Sequence, residues 1–274
     1  MLAYDDGIVK LHTGDVLDTL REMPPQHVDC VVTSPPYWGL RDYGHAGQLG
    51  AEKTVGEYVQ NMVSVFREVK RVLKDDGTLW LNLGDCYDNG NLVGVPWRVA
   101  FALQDDGWIL RSDIVWHKPN PIPESVSNRP TRSHEYLFLL SKTLKYTYNP
   151  EGAKEPALTA KWPGVGPKHG TTDNHKSEYR DMDAQPLRNR RDVWTVPTAK
   201  NRGGHFAVFP DDLIRPCILI GAGGGGVVLD PFSGSGTVAA VAKRLGRRAI
   251  GIDINPDYNA IAVKRLEKDG GLWG

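Results

Sequence analysis

Two apolar runs near the end of the chain constrain its fold more than any other feature. Each ends in an acid, and a glycine-rich turn and a helix-length segment lie between them. The first is Val227-Val228-Leu229-Asp230, continuing through Pro231-Phe232-Ser233-Gly234-Ser235-Gly236-Thr237; the second is Ala249-Ile250-Gly251-Ile252-Asp253. Val238 to Leu245 reads as the helix between them. Strand, turn, helix and strand in this order form the βαβ unit of nucleoside-cofactor sites. Small residues let the backbone approach a ligand, the helix N-terminus favours an anionic group, and the acid ending the second strand can take ribose hydroxyls.

Far earlier, the apolar run Val28-Asp29-Cys30-Val31-Val32 leads into Thr33-Ser34-Pro35-Pro36-Tyr37. Two successive prolines donate no N–H and fix φ, so the carbonyls around them are expected to stay free and aimed. A hydroxyl and aimed carbonyls can accept the hydrogens of an exocyclic amine, and Tyr37 offers a face for a planar base. By itself the stretch reads equally as an ordinary strand-to-loop turn.

Taken together, Ser34-Pro35-Pro36-Tyr37 and Asp230 to Thr237 resemble the catalytic and cofactor motifs of the S-adenosylmethionine-dependent DNA amino-methyltransferases. The catalytic motif comes first, the order of that family's β group, and the resemblance covers nearly the whole chain apart from a middle segment. It implies an α/β, Rossmann-like methyltransferase fold: a mostly parallel twisted sheet with an antiparallel edge strand, circularly permuted, carrying an inserted target-recognition region. The implied division is 1–143 as the catalytic half, 144–200 as the insertion and 201–274 as the cofactor half.

The resemblance also implies roles for individual residues. Asp230, Pro231, Phe232, Gly234, Ser235, Gly236, Thr237 and Asp253 would form the cofactor site, with Asp230 at the methionine amine and Asp253 at the ribose. Phe206 would close over the methionine end, with His205 supporting that loop. Asp15 matches an acidic position near the adenine, and reads equally as part of a surface turn. Ser34 Oγ and the Pro35 carbonyl would take the two amino hydrogens of a base flipped out of duplex DNA, placing negative ends where positive charge develops. Tyr37 and Trp38 would stack on that base; the alternative is that they pack a loop. Lys118, Asn120 and Glu135 fall in the region lining the base pocket. Arg188, Arg190 and Arg191 would contact DNA from the insertion, and Arg41 from the loop 41–53. Family members with Ser before Pro-Pro-Tyr are mostly cytosine-N4 enzymes, which favours cytosine over adenine.

The chain has 274 residues, 40% hydrophobic and 24% charged, enough for one large α/β domain with an insertion. Its formal net charge is zero, but Ser141 to Arg202 carries twelve Lys and Arg against seven Asp and Glu. A local basic excess of this kind steers DNA to one face. Cys30, Cys86 and Cys217 stand apart, fitting reduced thiols in a cytoplasmic protein rather than a disulfide or zinc framework. No apolar run approaches the ~20 residues of a membrane span. The expected partners are duplex DNA, a second copy of the chain and a cognate restriction endonuclease, with no metal and no membrane.

Elsewhere, Lys10 to Thr13, Val28 to Thr33, Thr78 to Leu83, Ile109 to His117 and Glu135 to Leu140 read as strands. Thr54-Val55-Gly56-Glu57 has capping-box spacing and opens a helix, with Asp75-Asp76-Gly77 as the following turn. Pro96 begins another helix, Pro210 to Gly221 a third, and Asn255-Pro256 caps a last one to about Lys268. Leu144 to Lys200 shows no sustained period. Pro216-Cys217 sits among helical apolar positions and reads as a buried core thiol, not a nucleophile.

Overall fold

The structure, a computed structural model, describes residues 1–40, 47–157, 187–198 and 209–270. Its elements in chain order begin with β1 (Leu2–Asp5), β2 (Val9–Thr13), α1 (Val16–Glu22), β3 (Val28–Thr33), α2 (Val55–Val72) and β4 (Leu73–Leu83). A small hairpin, β5 (Tyr87–Asp88) and β6 (Asn91–Leu92), precedes α3 (Val95–Asp105), β7 (Ile109–His117) and β8 (His134–Ser141). Then come β9 (Lys154–Pro156), β10 (Leu187–Asn189), β11 (Val193–Thr195) and α4 (Asp211–Gly221). The chain's last described elements are β12 (Val227–Asp230), α5 (Thr237–Arg244), β13 (Arg248–Asp253) and α6 (Pro256–Gly270).

Nine strands form one sheet in the order β1-β2-β13-β12-β3-β4-β8-β7-β11. The run from β2 to β4 is parallel throughout. The antiparallel edge strand expected from the sequence is β1, which pairs with β2. A second reversed strand, β8, lies inside the sheet between β4 and β7.

Successive residues of the central strands are buried on alternate faces of the sheet. Cys30 and Val32 of β3 and Val228 of β12 pack with α4, α5 and α6, through Leu213, Ile218, Val241 and Leu266. Val31, Leu229 and Ile252 point to the other face and pack with α1, α2 and α3, through Leu20, Phe66 and Val99. A sheet covered on both faces explains why these strands read as continuous apolar runs. α2 opens on the expected capping box: Glu57 N donates to Thr54 Oγ1 (3.2 Å) and Thr54 N to Glu57 Oε2 (3.3 Å).

Two expectations need revision. The chain does not leave α2 through a separate turn: β4 starts at Leu73, and Lys74 to Gly77 form an irregularity in its pairing with β3. Gly77 is required there, because a Cβ would stand 2.5 Å from Leu73 Cδ1. The aperiodic segment after Leu144 contains structure: β9 and β10 pair antiparallel, and β11 joins the main sheet parallel to β7. Asp15 is the N-cap of α1, a helix the apolar pattern did not reveal; its Oδ1 accepts from Leu17 N (2.8 Å) and Asp18 N (3.0 Å). Cys217 is a fully buried thiol, as expected, its Sγ donating to the Leu213 carbonyl (3.2 Å).

Candidate active site

Strands β12 and β3 are neighbours in the sheet, yet α5 leads away from β12 over one face and α2 from β3 over the other. Such a reversal opens a crevice beyond the carboxyl ends of the strands. A cavity of about 650 Å³ lies there and is lined by both sequence motifs, Ser34 to Tyr37 on one side and Asp230 to Ser235 on the other. Thr33, one residue before Ser34, joins them: its Oγ1 donates to Asp230 Oδ1 at 2.7 Å, and both groups are buried.

At the cofactor end, Asp230 Oδ1 also accepts from Phe232 N (3.1 Å). Burial raises the Asp230 carboxyl to about 7, against the opposing effect of these two donors, and nearby Asp253 adds to the rise. Asp253 accepts from Gly234 N through Oδ2 and from Asn255 N through Oδ1, both at 2.8 Å, so it ties the glycine turn to the start of α6. Gly234 has φ of 49° with open space where a Cβ would stand. Gly236 (φ 73°) has a different task, since its Cβ would lie 2.6 Å from Ala262 Cβ; it lets α6 approach and does not line the cavity. Pro231, Phe232, Ser233, Ser235, Thr237 and Asp15 all line it. Ser233 Oγ is enclosed without a hydrogen-bond partner.

At the other end, Tyr37 is held by its hydroxyl. Tyr37 Oη lies 3.0 Å from Ser34 Oγ, 3.0 Å from Asn82 Oδ1 on β4 and 2.8 Å from Glu135 Oε2 on β8. Gly84 makes room for the ring, as a Cβ there would meet Tyr37 Cε2 at 2.5 Å. Tyr37 is half-buried, and burial together with Glu135 pushes the phenol well above its ordinary value. Lys118 Nζ donates to the other Glu135 oxygen, Oε1, and sits 4.5 Å from the Trp116 ring centroid. Tyr37, Glu135 and Lys118 each stand out in the sequence, but nothing there shows that they share one network or that Asn82 belongs to it.

Several expected contacts are placed otherwise. The Pro36 carbonyl is not free: Tyr58 Oη donates to it at 2.9 Å. Trp38 packs against the α1–α3 core and its Nε1 donates to the Glu52 carbonyl (3.0 Å), so it braces the loop and does not line the cavity. Asn120 exchanges two hydrogen bonds with Thr198, both at 3.0 Å, clipping the chain after β7 to the chain after β11. Arg188 and Arg191 share Glu155 Oε1, at 3.0 and 3.3 Å, and Arg190 lies over the Trp194 ring (5.0 Å). Arg41, His205 and Phe206 lie outside the described residues. Among the described residues, no group of three or more His, Cys, Asp or Glu side chains is gathered to hold a metal, and no helix is long and apolar enough to cross a membrane.

With this geometry in place, comparison with known proteins is decisive: a family model described as DNA methylase, of the N6/N4 type, matches residues 28–264. The chain belongs to that family. The Type II methyltransferase M.SmaI of Serratia marcescens is 46% identical over 286 aligned residues, spanning 94% of this chain and 90% of the relative. M.XycI of Xanthomonas campestris pv. cyanopsidis is 47% identical, with 94% and 87% covered. Among solved structures, the PvuII DNA methyltransferase, named cytosine-N4-specific, superposes with a TM-score of 0.74 at 22% identity, covering 98% of this chain and 93% of that one. A DNA modification methylase of Thermus thermophilus, solved with S-adenosyl-L-methionine bound, gives 0.64 at 26%, with 94% and 95% covered. This DNA methylase therefore has the Rossmann-like methyltransferase fold and uses S-adenosylmethionine to methylate DNA.

The residues present fit that cofactor. Gly234 keeps the cavity wall open, and Ser233 Oγ lacks a partner. Asp230 is a buried acid whose partners named above are neutral donors, so a cation placed beside it would restore its charge. When bound, the cofactor supplies a methyl group already activated by its sulfonium sulfur. The chain's work is to hold an amine in line and localise its lone pair, and Ser34 faces the same cavity as Asp230.

Proposed function

We propose that this DNA methylase transfers the methyl group to the exocyclic N4 amine of a cytosine flipped out of duplex DNA. The observation that carries the reading is a serine hydroxyl, Ser34 Oγ, standing at the cavity beside Tyr37, where adenine-N6 enzymes of the family commonly place Asp or Asn. In this reading Ser34 and the Pro35 carbonyl hold the amine, and the Tyr37 ring supports the base. Asp230 faces the methionine amine of the cofactor and Asp253 the ribose, with the turn from Pro231 to Thr237 around it.

The proposal takes 1–143 as the catalytic half and 201–274 as the cofactor half. Target recognition falls to the segment 144–200, although β11 within it belongs to the sheet. Arg188, Arg190 and Arg191 then lie on the DNA side, a role supported by the basic excess of that segment. A cognate endonuclease and a cytoplasmic setting agree with the Type II names of the relatives. Homodimerisation completes the proposal. Digesting plasmid methylated by the protein to nucleosides and measuring the modified base tests the central point. N4-methylcytosine is expected, and N6-methyladenine alone would overturn it.

A further inference from the structure

The hydrogen bonds around Tyr37 have a direction, and that direction is set by the groups that meet its hydroxyl together with Ser34. Tyr37 Oη is within hydrogen-bond distance of three oxygens, Ser34 Oγ, Asn82 Oδ1 and Glu135 Oε2. A phenol has one proton to give. Asn82 Oδ1 only accepts, and the amide is oriented by its Nδ2, which donates to the Tyr136 carbonyl at 3.1 Å. The Glu135 carboxylate only accepts, and Lys118 contacts its other oxygen. The Tyr37 proton therefore goes to Glu135 or Asn82. It stays on the phenol because burial and Glu135 disfavour the phenolate. The hydrogen in the 3.0 Å contact between Ser34 and Tyr37 must then be Ser34's own.

That assignment matters for the reaction. A serine hydroxyl free to rotate could point its hydrogen at the target nitrogen and engage the lone pair that has to attack. With its hydrogen committed to Tyr37, Ser34 offers the cavity lone pairs alone. We propose that Glu135, acting with Asn82 through Tyr37 and backed by Lys118, is a positioning residue that fixes Ser34 as a pure acceptor for the target amine. The inference rests on Ser34 as the amine acceptor and holds equally for cytosine and adenine.

The test uses the full chain, S-adenosylmethionine and unmethylated bacterial DNA, with single-turnover methyl transfer, cofactor affinity and the KM for DNA measured on each variant. Glu135→Gln gives its amide oxygen to Lys118 and its N–H to Tyr37, which leaves Asn82 Oδ1 and Ser34 Oγ to compete for the Tyr37 proton, so that Ser34 is no longer held as a donor to Tyr37 all the time. Its rate is expected to fall about tenfold, less than the 10²–10³ lost with a direct transition-state donor. Cofactor affinity and KM are expected to stay within about twofold, since these terms report binding rather than the chemical step. Tyr37→Phe, which keeps the ring and removes only the hydroxyl, is expected to lose a similar factor. The double variant should be no slower than Tyr37→Phe, because Glu135 acts only through that hydroxyl.

A full-rate Glu135→Gln, or a double variant slowed by the product of the two factors, overturns the proposal. Should Glu135→Gln lose cofactor affinity through misfolding, Tyr37→Phe decides alone, and its full activity overturns the proposal. Ser34→Ala is the control on the premise: if it transfers at the normal rate, the amine-acceptor reading itself fails.

Discussion

Asp230 offers the sharpest quantitative test of the cofactor assignment. Its carboxyl is 5% exposed and is raised by burial from 3.8 to about 7. That difference, roughly three pKa units, corresponds to about 4 kcal/mol. The folded chain holds this proton to higher pH than the unfolded chain does. The stability linked to it is therefore complete below about pH 4 and is lost as the pH rises through about 7. A cofactor ammonium beside the carboxyl reverses the balance, so binding must expel the proton wherever the free protein still carries it. At pH 6 about 0.9 proton per cofactor should be released, falling to about half a proton at pH 7. Titration calorimetry in buffers of different ionisation enthalpy reads this number directly. Asp230→Asn should bind the cofactor far more weakly and release no proton. At pH 8, without cofactor, it should resist urea better than the wild type, by up to about 4 kcal/mol, because a buried charge has been removed. No proton release at pH 6, or an unchanged affinity in Asp230→Asn, would refute the assignment of Asp230 to the ammonium.

Two further expectations concern the turn and the basic segment. Gly236→Ala combines a left-handed backbone with a Cβ 2.6 Å from Ala262 Cβ, and should cost about 2–4 kcal/mol in denaturant unfolding; an unshifted midpoint would contradict the close approach of α6. Glu155→Gln should release Arg188 and Arg191, raising DNA affinity at low salt and steepening its salt dependence by about one to two counterions; an unchanged slope would mean that neither arginine reaches a phosphate.

Local signals carried much of this architecture. β3 and β7 lie where the apolar runs place them, and α2 opens on the capping box written in Thr54 and Glu57. The βαβ unit around Asp230 and Asp253 was legible because turn, helix and both strands are contiguous in the chain. β11 was hidden: three residues beside a basic run carry no period, and their pairing is with β7, with Trp194 opposite Trp116. α1 was hidden for another reason, as Asp15 looked like a ligand-facing acid and is also a helix cap. The network around Tyr37 depends on Asn82 and Glu135, which lie on separate strands, and no spacing in the sequence announces that β4 and β8 meet at that hydroxyl. Trp38 illustrates the converse: the sequence leaves it open between stacking on a base and packing a loop, and its hydrogen bond to the Glu52 carbonyl ties it to the loop.

The hydrogen bond from Thr33 to Asp230 gives the two motifs a common fate. It crosses between segments almost two hundred positions apart in the chain, and it acts on the residue immediately before Ser34. A change in the charge of Asp230 is therefore a change in how firmly the end of β3 is anchored. In the proposed reading, loading the cofactor against Asp230 would therefore be felt at the edge that holds the amine, through a single hydroxyl.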